Sequence, residues 1–167
     1  MTGTLNGGRA TVEGTLDLSQ PATPRGIVTL TAQSVAFEYP DGFQTESNAN
    51  LILTLASAAP TLAGRIDVLG GTYREPIVVT GRLLEGLQRG IATTAEPSAL
   101  LSTLRLDVTL ATVDALRLDN NYARLDLTGG LRVSGTADRP GVVGRLEAAP
   151  DGEVFLAGNT YRIERLV

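Results

Sequence analysis

The sequence has no cysteine, no histidine, no tryptophan and no lysine; all fourteen of its basic residues are arginine. Without Cys and His there can be no disulfide, no Cys/His metal site and no Ser-His-Asp or Cys-His nucleophile. Without Lys, Schiff-base chemistry and the phosphate-cradle lysine are excluded as well. Aromatic residues make up only 4% of the chain, so the interior is not assembled around large rings. The longest uncharged run, Ser47 to Gly64, contains Ser, Asn, Thr and Pro60 and is not a membrane span. Met1 leads into Thr-Gly-Thr-Leu with neither a basic n-region nor an apolar h-region; if the protein works outside the cytoplasm, its targeting part is expected elsewhere in a longer chain. The net charge is −4 and no arginine cluster interrupts it, which makes nucleic acid a poor partner. Asp and Glu occur singly along the chain, with no converging pair for acid-base work and no Asp-x-Asp-x-Asp-Gly calcium loop. The expectation is a non-enzyme with no metal and no cofactor.

What is present is 43% hydrophobic residues in a chain of 167, nearly all Leu, Val, Ile and Ala, arranged with a period of two. From Leu104 the order Leu-Arg-Leu-Asp-Val-Thr-Leu sends Leu104, Leu106, Val108 and Leu110 one way and Arg105, Asp107 and Thr109 the other. The same alternation recurs at Leu116–Asp119, Leu125–Leu127 and Leu131–Val133, with Asn120-Asn121 and Gly129-Gly130 reading as turns. Further alternating runs are Val12–Leu18, Gly26–Ala32, Val35–Tyr39, Leu51–Leu55, Leu62–Val68, Tyr73–Val79, Gly144–Ala148, Glu153–Ala157 and Tyr161–Leu166. The pattern predicts about a dozen strands of roughly four to seven residues. Arg105/Asp107, Arg117/Asp119 and Arg124/Asp126 would place opposite charges side by side across neighbouring strands.

One stretch departs from this period. In Arg82–Gly90, Leu83, Leu84, Leu87 and Ile91 form a helical stripe, Glu85 is placed to pair with Arg89, and Gly90 suits a helix stop. We therefore expect a helical insert or loop at 82–103, either covering one end of the sheet or acting as a movable plug. The chain also repeats itself: Pro60-Thr-Leu-Ala-Gly64-Arg65-Ile66-Asp67 aligns with Pro140-Gly-Val-Val-Gly144-Arg145-Leu146-Glu147, with Gly71 and Gly152 following, and a looser copy starts at Pro24. Strand and turn repeated in this way suggest a rolled or solenoid-like sheet with a continuous inner face.

Gly135-Thr136, Pro140, Gly144, Gly152, Val154-Phe155, Gly158-Asn159 and Tyr161-Arg162-Ile163 together resemble the TamB C-terminal domain family, and the resemblance extends upstream through Leu104–Leu110 and Gly64–Tyr73. It implies an all-β fold: an elongated, curled β-sheet, the β-taco or open half-pipe, with an aliphatic concave face. Residues 1–167 would be one such segment, cut from a longer protein anchored in the inner membrane and crossing the periplasm. The resemblance further implies phospholipid as cargo and an outer-membrane barrel of the assembly-factor type as partner. It offers no catalytic residue.

Alternation nominates the inner wall: Leu51, Leu53, Leu55, Leu62, Ile66, Val68, Leu104, Leu106, Val108, Leu110, Leu116, Leu118, Leu125, Leu127, Leu131, Val133, Leu146, Val154 and Leu156. Alkyl chains are favoured on such a wall by about 0.8 kcal/mol per CH₂, while a headgroup stays in water, where Arg65, Arg145 or Arg162 at a rim would steer phosphate. Two other readings stay open. The apolar face could be the core of a sandwich closed by a second sheet, or the domain could be a protein-binding scaffold that adds a strand to a barrel partner or client. Unpaired edges would also let the segment self-associate.

Overall fold

Every second residue being aliphatic gives each strand one face that leaves water, and such strands are stable only when neighbours continue that face. The computed structural model describes residues 1–17, 19, 24–38, 42–55, 59–76 and 102–163. Its strands are β1 (Thr2–Leu5), β2 (Gly8–Asp17), β3 (Arg25–Glu38), β4 (Phe43–Leu55), β5 (Thr61–Tyr73), β6 (Arg105–Thr112), β7 (Leu116–Asp119), β8 (Ala123–Thr136), β9 (Arg139–Ala148), β10 (Glu153–Leu156) and β11 (Asn159–Arg162). All eleven lie in one sheet, in the order β1-β2-β3-β4-β5-β6-β8-β10-β11, with β7 between β5 and β8 and with β9 on β8. Neighbours pair antiparallel except that β6 and β7 both run parallel to β5. The path does not return to its start, and among the described residues no second sheet packs on it. The sandwich reading therefore does not describe this fold.

The register sorts the side chains by chemistry. Val12, Leu30, Leu51, Gly64, Val108, Val133 and Val142 stand opposite one another in turn across β2, β3, β4, β5, β6, β8 and β9. One residue along, the same strands present Thr11, Thr31, Asn50, Arg65, Thr109, Arg132 and Val143. The first row belongs to the apolar face and the second to the polar face.

The strands are longer than alternation alone predicts: β3 and β8 have 14 residues, β4 and β5 have 13. Gly129-Gly130 is not a turn but the middle of β8, because Leu125, Leu127, Leu131 and Val133 keep the same parity across it and the chain has no reason to reverse. Gly26–Ala32 and Val35–Glu38 are likewise one strand, joined by a bulge between Ala32 and Val35. There Ser34 takes a positive φ of 50° and donates its N–H to Asn48 Oδ1 at 2.8 Å. The extra residue changes parity, and so keeps Ala32, Val35 and Phe37 on the apolar side. A second irregularity, between Glu46 and Ser47 on β4, does the same for Val68, Gly71 and Tyr73 of β5. The first hairpin, β1 to β2, turns at Asn6-Gly7 with φ of 45° and 85°, the signature of a type I′ turn. Asn120 does mark a turn: its Oδ1 accepts the N–H groups of Tyr122 and Ala123 at 2.9 and 3.0 Å. Of the helical insert expected at 82–103, only Ser102 and Thr103 are among the described residues, and both are helical.

Little of this sheet is a conventional core. Among the described residues the buried apolar side chains are Ala32, Val35, Val108, Ala123 and Leu125, and of these only Val35 is sealed completely.

Candidate hydrophobic groove

Strand register places each wall residue nominated by alternation on the same face of the sheet. Leu51, Leu53 and Leu55 come from β4, and Leu62, Ile66 and Val68 from β5. Leu104 immediately precedes β6, which contributes Leu106, Val108 and Leu110. Leu116 and Leu118 of β7 oppose Leu127 and Leu125 of β8, which also carries Leu131 and Val133. Leu146 lies across from Gly129, and Val154 from Ala123; Leu156 continues β10 beyond the end of its pairing with β8. Val108 and Leu125 are buried, Leu146 and Leu156 are 38% and 53% exposed, and the others are half-buried.

Part of this face lines a half-open cavity of about 460 Å³. Its wall takes Phe37 from β3, Phe43, Thr45 and Ser47 from β4, Ile66 and Val68 from β5, Leu110 from β6, Leu116 from β7, Leu131 from β8 and Leu146 from β9. β3 and β9 are five strand spacings apart in the sheet, about 24 Å if the sheet were flat. Residues from both line one cavity, so the sheet is curled with the aliphatic face inside. Ile66, Val68, Leu110, Leu116, Leu131 and Leu146 are the nominated residues that reach it; the rest of the nominated set continues the face beyond it.

The wall also contains groups that alternation did not nominate. Phe43, Thr45, Ser47 and Ala49 continue the Leu51, Leu53, Leu55 parity backwards along β4, a signal hidden because two of the four are hydroxyl residues. Phe37 is reached only through the bulge. Aromatic rings are thus not absent from the inner face: Phe43 and Tyr73 meet edge to face with centroids 6.2 Å apart, and Tyr161 of β11 stands opposite Val154. Thr112 enters the wall where β6 leaves β8: its Oγ1 accepts the Gly129 N–H at 2.9 Å and so completes the ladder. The hydroxyl is consumed locally and offers no chemistry.

Along the described strands, charged side chains share the outer-face parity. Arg117 pairs with Asp126 at 3.1 Å, Arg124 with Asp119 at 3.2 Å and Arg132 with Asp107 at 2.8 Å. All three join neighbouring strands, as alternation predicts for Asp107, Arg117, Asp119, Arg124 and Asp126; the cross-strand partner of Asp107 is Arg132 of β8. The Asp126 carboxylate, by hydrogen bond and by charge, holds the Arg117 guanidinium above its ordinary pKa. Arg65 is not at a rim, because β5 lies mid-sheet and the side chain pairs with Asp67 at 2.6 Å on the outer face. Arg145 and Arg162 lie on marginal strands, β9 and β11. Among the described residues no cluster of acids could hold a metal ion, and no helix is long and apolar enough to cross a membrane.

An all-β sheet curled around an aliphatic face is the architecture that the sequence resemblance implies, and the profile of one family, the TamB C-terminal domain, matches residues 1–165. The chain belongs to the TamB C-terminal domain family. No curated protein and no solved structure matches it. As a TamB C-terminal domain it has a role in outer-membrane assembly or lipid transport, in a family of non-enzymatic modules of the periplasmic envelope that engage outer-membrane assembly partners.

Proposed function

We propose that this TamB domain is a lipid-carrying segment: phospholipid acyl chains lie along the inner face while headgroups remain in water at the open margin. The observation that carries the reading is the inner face itself, aliphatic across seven strands and only half-buried. Contiguous apolar surface left half-exposed along strand after strand, in place of being sealed in a core, is the kind of surface that a ligand or partner covers. Each CH₂ laid on it contributes about 0.8 kcal/mol. Among the described residues the cavity wall is almost wholly apolar, with Thr45, Ser47 and Thr112 as its hydroxyl groups, which suits passage of many lipids rather than tight capture of one. In this reading the domain is part of a protein anchored in the inner membrane, and the groove is a stretch of a track between the inner and outer membranes. Arg145 and Arg162, on the marginal strands, are the arginines placed to meet phosphate.

Native mass spectrometry of the domain purified without detergent from envelope-containing cells tests this. Adducts with phospholipid masses are the expected result; protein free of lipid, with none taken up from vesicles, contradicts it.

A second reading, engagement of an outer-membrane barrel partner or client by strand addition, is favoured by one observation. Among the described residues, the ten residues of β9 pair on one side only.

A further inference from the structure

The repeat noted in the sequence is a repeat in the sheet. In the β4–β5 pair, Leu51 stands opposite Gly64, Leu53 opposite Leu62, Ala49 opposite Ile66 and Asn50 opposite Arg65. In the β8–β9 pair, Leu131 stands opposite Gly144, Val133 opposite Val142, Gly129 opposite Leu146 and Gly130 opposite Arg145. One constant offset carries the first register onto the second. The details follow it too. Gly64 and Gly144 have positive φ of 143° and 156°, and a Cβ on either would run into the carbonyl oxygen of the strand before, that of Asn50 or of Gly130. Arg65 pairs with Asp67, and Arg145 with Glu147 at 3.3 Å, each two residues along its own strand on the outer face.

The two pairs differ in what lies beyond them. β5 has a strand on its far side, β6, running parallel from Thr61 opposite Arg105 to Val68 opposite Thr112. β9 has none among the described residues. Its residues are exposed from Arg139 to Glu147, including Val142 and Val143 at 58% and 63%. β11 covers only β10.

We infer that the free edge of β9 accepts an extended polypeptide strand running parallel to it, with aliphatic residues at every second position, in the register that β6 takes on β5. The incoming strand continues the inner face with residues equivalent to Leu106, Val108 and Leu110, and its equivalent of Val108 lies opposite Gly144. The inference rests on the strand-addition reading above and adds to it the edge, the direction and the pattern of the partner. It is independent of lipid, which occupies the face rather than the edge.

The test uses the whole domain and, as probe, a synthetic peptide of this chain's own residues 104–112. Because the chain has no cysteine, Glu147→Cys supplies a single thiol on exposed β9. The equivalent of Glu147 on β5 is Asp67, which stands opposite Ala111, so a peptide carrying Ala111→Cys brings its thiol alongside position 147. Neighbouring strands are close enough there for a disulfide. A peptide carrying Arg105→Cys would instead place its thiol opposite position 141, about 20 Å away. With oxidised glutathione supplied as the oxidant, the expected result is disulfide formation at least tenfold faster with the Ala111→Cys peptide. Faster coupling of the Arg105→Cys peptide would overturn the parallel direction while leaving strand addition in place. Equal, slow coupling of both would overturn both. A disulfide-linked homodimer forming as fast without peptide would give the edge to a second copy of the chain and overturn the inference.

Discussion

The two faces of this sheet are made by the same strands, residue by residue, and yet they solve different problems. On the outer face, arginines meet carboxylates across and along strands, and their side chains stay more than half exposed. On the inner face, Leu, Val and Ile continue one another from β2 to β9, and almost none is sealed. In a sandwich the second face would be a packed core with many fully buried side chains; here, among the described residues, Val35 alone reaches that state. The difference teaches that hydrophobic content and core are separate quantities. The backbone ladders and a few buried positions hold the curl, and most of the apolar surface is left available for something else to cover.

The comparison can be broken most severely at the backbone. Gly64→Val places a branched side chain at φ 143°, against the Asn50 carbonyl in mid-sheet, and should cost about 3 kcal/mol or more, read as a collapse of the urea midpoint. Next in size is a charge at the one buried position of the central inner row. Val108→Asp, at a site 6% exposed, should destabilise by about 3 kcal/mol, whereas Thr109→Asp, on the exposed outer face, should stay within about 0.5 kcal/mol of the parent. A smaller effect on the fold and a larger one on the ligand are expected of Leu110→Glu, which lines the cavity but is only half-buried. The domain should unfold with its usual cooperativity while its lipid adducts disappear. If Leu110→Glu unfolds the domain outright, the inner face is a core after all. The smallest effect belongs to Arg117→Ala: the pair with Asp126 is solvent-exposed, and its loss should leave the unfolding midpoint and lipid content unchanged.

How much of this was legible from residue order depends on whether parity was interrupted. Along β8 and the Leu51–Leu55 end of β4, unbroken alternation assigned each side chain to a face, and the register agrees. Gly129-Gly130 misled because a glycine pair ordinarily signals a turn, although the parity on either side said otherwise. Bulges were the second obstacle. Ser34 shifts β3 by one residue for reasons of local geometry, an αL backbone tied to Asn48, and nothing in the alternation announces it; Phe37 was invisible for that cause. Thr45 and Ser47 were hidden because a wall position can tolerate a small hydroxyl that satisfies itself nearby. The repeat of Pro60–Asp67 in Pro140–Glu147 was legible, but its meaning was not. Only pairing partners show that one copy has a parallel neighbour and that the other has none among the described residues. Sheet order, with β6 and β7 parallel to β5 rather than continuing the meander, lies beyond what period two can encode, since alternation is the same in either direction.

The central claim, that lipid lies on the inner face and not merely on an oily protein, is tested most directly by two adjacent residues of β6. A photo-crosslinking amino acid is placed at Leu110, facing in, or at Thr109, facing out, and the domain is irradiated in cells that make phospholipid. Phospholipid adducts at position 110 with none above background at 109 are the predicted result; equal labelling at both, or none at either, would contradict it.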